Sequence, residues 1–290
     1  MANLKELRNK IGVVQSTRKV TAAMKLVAGV KLKKAEQKAT TSREYANELK
    51  AILARTRGEY VNVNYELLLG REDINTEILV VFASDKGLCG NFNYLINRKV
   101  SDVIAEIHLK NRKVNIICIG AKVFDVLKRK LHDDESIELM GDFYRNEKLF
   151  ENSTKLAEKV IAEFTLKNVD AVSVVYTKYY SAIRRQVEVK SIIPLICEPN
   201  FCKTDTIFEP DVKFILETIV PYNIAVQLYQ TALESIAGEQ GSRMTSMDSA
   251  TRNADELLSD LSIRYNRTRQ YNITQELVEV VSGAAAIGEG

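Results

Sequence analysis

A chain of 290 residues with 46% hydrophobic and 27% charged side chains has the make-up of a globular protein of about two domains, which excludes wholesale disorder. The net charge of +3 hides an asymmetry: residues 1–38 carry ten Lys/Arg against Glu6 and Glu36, a net +8 that leaves −5 for the remainder. So basic a segment calls for an acidic partner: nucleic acid, lipid headgroups or an acidic protein loop.

The first element is a long helix. Positions spaced alternately three and four from Leu4 read Leu4, Leu7, Ile11, Val14, Arg18, Thr21, Lys25, Ala28, Leu32, Ala35, Ala39, Ser42, Ala46, Leu49 and Leu53, and eleven of these fifteen are apolar. A spacing of 3.5 held that long is a coiled-coil seam, and its many alanines let a partner helix approach closely. No proline occurs before Pro194, so nothing interrupts the helix. About 55 residues at 1.5 Å each give roughly 80 Å. Residues 58–75 lose the heptad and read as a connector.

Next come alternating strands and helices. Glu77–Ala83 is a short apolar run with the character of a buried strand, followed by SDKGLCGN and a helical pattern through Leu88, Phe92, Leu95, Ile96, Val100, Val103 and Ile107. Val114–Ile119 is a second strand, residues 121–131 a helix and Ser136–Met140 a third strand. Leu149, Leu156, Val160 and Phe164 mark another helix, and Ala171–Tyr179 and Val187–Leu195 two further strands. Such alternation predicts a mainly parallel α/β sheet, opening like a nucleotide-binding domain.

The last element is again a long helix. Pro210 suits a helix start. From Ile215 a seam runs through Ile219, Tyr222, Val226, Tyr229, Leu233, Ile236, Gln240, Arg243, Met247, Ala250, Ala254, Leu257, Leu261, Arg264, Thr268, Tyr271, Gln275, Val278, Ser282 and Ala285, with fifteen of twenty-one positions apolar. About 75 residues give roughly 110 Å, so this helix outruns the first. Pro221 falls in its third turn and should bend the helix without ending it. The end, VVSGAAAIG after Glu279, is small, apolar and uncharged, and calls for a sleeve formed by another protein. The fold class is therefore α/β: a long antiparallel coiled coil of the terminal helices, residues 1–57 and 209–290, with a Rossmann-like α/β domain and connector at 58–208.

Candidate chemistry is sparse. Asp85-Lys86-Gly87-Leu88-Cys89-Gly90 is neither a P-loop nor G-x-G-x-x-G, and its glycines suit a turn. His108 and His132 lack metal-ligand spacing, so no metal, cofactor or catalytic residue is expected. Cys89 reads as a structural thiol. Cys89, Cys118, Cys197 and Cys202 make no C-x-x-C pair and read as reduced thiols of an intracellular protein. The start MANLKELRNK lacks the apolar stretch of a signal peptide, and no uncharged apolar run reaches the roughly 18–20 residues of a membrane span. A coiled-coil nucleic-acid binder is the rival reading, but Tyr45 is the first aromatic and nothing interleaves with the basic residues before it.

Both ends resemble the gamma subunit of F-type ATP synthase. The opening MANLKELRNKIGVVQSTRKVTAAMKLVAG is similar to that family's start. Ile273-Thr274-x-Glu276-x-x-Glu279-x-x-x-Gly283-Ala284-x-Ala286 fits its C-terminal signature. Asp85–Gly90 matches its central stretch, with Asn91 in place of a glycine common in relatives, and Phe208-Glu209-Pro210 resembles its step into the last helix. The resemblance implies a non-catalytic rotor shaft that couples proton-driven rotation of the membrane c-ring to ATP synthesis, or the reverse, in an α3β3 ring. Its implied partners are the α and β subunits, epsilon and the c-ring, with no nucleic acid and no nucleotide bound directly. Its implied location is peripheral, on the cytoplasmic side of the plasma membrane. By match, the β subunits should meet Met24, Lys25, Cys89, Arg243, Gln270, Thr274 and Glu276. Phe208 and Glu209 should lie on the epsilon and c-ring side. Val280, Val281, Ala284, Ala285 and Ile287 should form an apolar tip in the ring's sleeve. A slick tip suits a bearing, because polar bonds made at each step would hinder rotation.

Overall fold

The computed structural model describes residues 4–55, 65–129, 136–144, 148–182, 184–195, 209 and 211–288. Phe208, Pro210, Cys197, Cys202 and His132 lie outside them. The elements in chain order are α1 (Leu4–Arg55), α2 (Glu66–Leu69), β1 (Thr76–Phe82), α3 (Phe92–Leu109), β2 (Lys113–Ile119), α4 (Ala121–Leu127), β3 (Ile137–Leu139), α5 (Leu149–Thr165), β4 (Ala171–Tyr179), β5 (Arg185–Ile193) and α6 (Val212–Gly288). Helix α6 runs unbroken across Pro221. The chain divides into two compact units, one of Met1–Val27 with Met244–Gly290 and one of Ala28–Arg243.

In the first unit α1 and α6 run antiparallel. The partners of α6 descend through Asp248, Thr251 and Asp255 as those of α1 ascend from Lys25 through Thr21 to Arg18. These are the three consecutive polar positions of the α1 seam, and each meets a polar residue. Lys25 pairs with Asp248 at 2.6 Å, the Thr21 and Thr251 hydroxyls lie 2.9 Å apart, and Arg18 pairs with Asp255. Leu7, Met247, Ala254 and Leu261 are buried. The seam is thus apolar where helices must close and complementary where it is polar, which fixes register in the way a polar coiled-coil position does.

In the second unit a five-stranded sheet has the order β3-β2-β1-β4-β5. Strands β1, β2, β3 and β4 pair in parallel and β5 joins β4 antiparallel. The β-branched content of β1 and β4 suits strands buried on both faces. One face packs Leu79, Val81 and Cys118 against α3 and α4 through Ile96, Val100 and Leu127. The other packs Ile78, Val80 and Phe82 against Leu156 and Val160 of α5 and Leu216, Val220, Ile224 and Leu228 of α6. Burial pushes the Cys118 thiol up to about 12, so it stays protonated and inert.

Helix α1 continues into this unit on its predicted seam: Ala28, Leu32, Ala35, Ala39, Ala46, Leu49 and Leu53 are all buried. Helix α6 differs from expectation. Its heptad accounts for one buried face, yet from Asn223 to Arg243 it is covered almost all round. A second stripe (Leu216, Val220, Ile224, Leu228, Thr231, Ser235, Gly238 and Ser242) is buried as well and includes the residues that face the sheet. The helix is packed by α1 on one side and by the sheet on the other, so a single-seam pattern describes only half of it.

A charged cluster sits where α1, α6 and the β4–β5 hairpin meet. Arg43 pairs with Glu234 at 3.5 Å and Lys178 with Glu188 at 3.2 Å. Burial lowers Lys190 to about 8, aided by the Lys50 and Lys178 charges and opposed by Glu234. The folded chain therefore releases this proton near pH 8 while the unfolded chain holds it to about 10.4, the ordinary lysine value. Between those values the unfolded state binds more protons, so native stability rises with pH. Lys190→Met should abolish that rise, read as the difference in urea midpoint between the parent and the variant at pH 8 and pH 10.

Candidate functional site

The sheet order places a switch point between β1 and β4, because the chain leaves β1 toward β2 and β3 and then crosses to β4 on the other side. Open α/β sheets take their ligands in the crevice outside the carboxyl ends of such strands. Here α6 fills that crevice. Ser235 Oγ donates to the Phe82 carbonyl at the end of β1 (3.4 Å), and Ser242 Oγ to the Cys89 carbonyl (2.6 Å). Gly238 lies so close to β4 that a Cβ there would stand 2.8 Å from Thr177 Cγ2, and Gly241 lies against Tyr179. A side chain at Gly238 would keep the helix off the sheet; the serines add hydrogen bonds to the carbonyl that ends β1 and to one in the loop after it. The domain thus has the plan of a nucleotide binder, with its own helix at the switch point.

The loop after β1 is held by the same helix. Arg243, buried, pairs with Glu239 at 2.7 Å and donates to the Lys86 and Gly87 carbonyls at 3.2 Å each. Burial raises the Glu239 carboxyl, with Arg243 the main opposing influence. Cys89 is buried, its Sγ 3.4 Å from Asn93 Nδ2 and 3.7 Å from Ser84 Oγ. The apolar side chain that the loop presents is Leu88, which is 63% exposed and has φ of 61°. The helical pattern assigned to Leu88 therefore starts only at Phe92; Leu88 sits in a turn completed by Gly90 at φ 58°. An L-residue held left-handed costs about 1–2 kcal/mol, and the Ser242 and Arg243 bonds pin the loop that holds it.

The other sequence-derived residues fall in two groups. Met24 is half-buried beside Lys25, whose ammonium, followed by Arg252, holds the Asp248 carboxyl below the usual carboxylate range. Gln270, Thr274 and Glu276 are exposed on α6, and Thr274 Oγ1 spends its proton on the Gln270 carbonyl (2.9 Å). Val280 and Val281 are 69% and 66% exposed, and Ala284 is exposed too; Ala285 and Ile287 belong to the same helix. Glu209 is exposed. Cys89 and Arg243 are thus brought together at one loop. Sequence reasoning missed Ser235, Gly238 and Ser242; their signal is a line of small residues on α6 beside the apolar seam.

Among the described residues no group of three or more His, Cys, Asp and Glu is placed to hold a metal ion, and no helix is long and apolar enough to cross a membrane. Two long helices paired antiparallel, the second also packed on an α/β sheet, define a coiled-coil protein with an inserted α/β domain. A family profile described as ATP synthase matches residues 3–287. The chain is 37% identical over 302 aligned residues to the ATP synthase gamma chain of Sinorhizobium fredii (strain NBRC 101917 / NGR234), covering 99% of this chain and 100% of the relative. It is 39% identical, with the same coverage, to that of Chelativorans sp. (strain BNC1). A chain of the Euglena gracilis mitochondrial ATP synthase (OSCP/F1/c-ring, rotational state 3) shares the fold with a TM-score of 0.68 at 17% identity, over 98% of this chain and 94% of that one. The chain belongs to the ATP synthase gamma chain family.

Proposed function

We propose that this chain is the central rotor shaft of an F-type ATP synthase, coupling c-ring rotation to ATP synthesis or hydrolysis in an α3β3 ring without a catalytic site of its own. The observation that carries the reading is the bare end of α6. Beyond Leu261 the described side chains are exposed or half-exposed, and Leu277, Val278, Val280 and Val281 stand 57–69% exposed on one helix. Apolar area of that kind is covered in a working assembly, and a sleeve without polar bonds leaves a helix free to turn. Residues 1–57 and 209–290 form the shaft, and 58–208 the part coupled to the foot.

Met24, Lys25, Gln270, Thr274 and Glu276 face the β subunits in this reading, and the buried Arg243 acts there through the loop it holds. Cys89 acts there through Leu88, the exposed apolar side chain of its loop. Phe208 and Glu209 face epsilon and the c-ring. The protein is peripheral, on the cytoplasmic side of the plasma membrane. The test is co-purification: the tagged chain drawn from detergent-extracted membranes should bring α, β, epsilon and c subunits, and recovery without α and β would sink the proposal.

One substitution probes the pushing surface. Met24→Lys adds a cation beside Lys25 in a segment already rich in positive charge. The expected result is a severalfold drop in proton pumping per ATP hydrolysed, with the chain still folded and assembled. Unchanged pumping would remove this surface from the coupling mechanism.

A further inference from the structure

A cavity of about 550 Å3 opens beside the β1 loop, walled by α1, α6 and the start of α5. Lys31, Lys34 and Lys38 come to it from α1 and Lys86 from the loop across from them. Among the described residues none of these four lysines is in an ion pair within 4.0 Å. The other charges are largely spent. Arg243 and Glu239 neutralise each other at 2.7 Å, and Asp85 accepts from the Ala121 amide at the start of α4 (3.3 Å). Among the described residues that line it, four cations against Asp85 leave about three positive charges. The floor is apolar, formed by Leu149, Leu233 and Ile236.

Two observations converge on an anion in this cavity beside the loop that follows β1. Its four lysines outnumber the lining carboxylates, Asp85 and the Arg243-paired Glu239 that also feels Lys31, and like charges focused in a concave site attract a polyanion. Lys31, Lys34 and Lys38 recur at three and four residues, so they share one helix face and span about 10 Å along the axis. A single phosphate reaches only part of that row; a chain of phosphates matches it.

We propose that this cavity binds a linear oligophosphate, its charges distributed along Lys31, Lys34 and Lys38 with Lys86 closing from the opposite side. The ligand is held by charge and length alone, so inorganic tripolyphosphate and the triphosphate of a nucleotide are both of the right class. The apolar floor distinguishes them, since only a nucleotide has a body to lay on it.

The test is calorimetric titration of the full-length chain with sodium tripolyphosphate, pyrophosphate and phosphate at matched ionic strength. Affinity should rise with phosphate number. Lys34→Gln with Lys86→Gln should weaken tripolyphosphate at least about tenfold. Lys33→Gln with Lys113→Gln, an equal loss of charge on residues that do not line the cavity, should change it less than about twofold. Circular dichroism checks that each variant folds. ATP binding as tightly as tripolyphosphate assigns the site to the phosphates alone, and tighter binding assigns a nucleotide; both sustain the proposal. Equal losses in the two double variants, no dependence on phosphate number, or a hexaglutamate peptide binding more tightly than tripolyphosphate would overturn it, the last by assigning the cavity to an acidic protein segment.

Discussion

Gly238→Val should destabilise the chain by about 3 kcal/mol, read as a lower urea midpoint, although valine is the better helix former. The reason is the closeness of α6 to β4. A Cβ at Gly238 would lie 2.8 Å from Thr177 Cγ2, 3.2 Å from Thr177 Cβ and 3.5 Å from Phe92 Cε2. Thr177 cannot easily yield. It is buried, it is β-branched and stiff about χ1, and it sits in the parallel-paired strand next to β1. Relief must come from the helix moving away, which would also stretch the Ser235 and Ser242 bonds to the β1 end and its loop. Gly238→Ala sets a finer test. It gains about 1 kcal/mol in helix propensity and loses more to the clash. Thr177→Ser removes the methyl that is struck, so the double variant should recover most of the loss. Additive effects of the two changes, or a Gly238→Val midpoint equal to the parent's, would show that the contact does not hold the helix to the sheet.

The bare end of α6 gives an effect that separates folding from assembly. Val280→Asp with Val281→Asp should leave the free chain's stability within about 0.5 kcal/mol, because both side chains are already in water. In the proposed assembly the same carboxylates would enter an apolar sleeve, at a cost of several kcal/mol unless they become protonated. Affinity for the α3β3 ring should therefore fall at least about a hundredfold, or about 2.8 kcal/mol. Unchanged affinity would mean that the tip is not enclosed.

The two results mark how far the residues could be read in advance. The α1 seam was legible because one partner covers one face: its buried side chains, Ala54 apart, all lie on the predicted positions. Its polar members needed the structure, since only the antiparallel register shows Arg18, Thr21 and Lys25 meeting Asp255, Thr251 and Asp248. The strands were legible as apolar β-branched runs, with ends shifted by one or two residues. Helix α6 was half legible. A heptad describes a helix with one neighbour, whereas Asn223–Arg243 has two, and beyond Ile224 and Leu228 its sheet-facing stripe continues through Thr231, Ser235, Gly238 and Ser242, which hydropathy counts as neutral or polar.

The candidate surfaces divide in the same way. The apolar end at Val280 and Val281 could be read from composition, as a small, uncharged run on a helix. Cys89 could be singled out from the motif but not turned inward, because its burial depends on Ser84, Asn93 and the Ser242 bond brought from far along the chain. Leu88, the apolar side chain the loop exposes, was hidden by falling on a helical spacing. Arg243 reads as a seam residue and turns out to hold the loop through two backbone carbonyls. Its loss should therefore act on Leu88 as well as on charge.

The central claim is that this chain turns inside a ring of catalytic subunits. The most direct measurement attaches a bead to Lys110→Cys, an exposed position at the end of α3, in the assembled complex fixed to glass through its β subunits. On adding ATP the bead should rotate in one direction for as long as ATP is hydrolysed, and stop when hydrolysis is inhibited. A bead that stays still, or only fluctuates, while the same complexes hydrolyse ATP would contradict the proposed rotor.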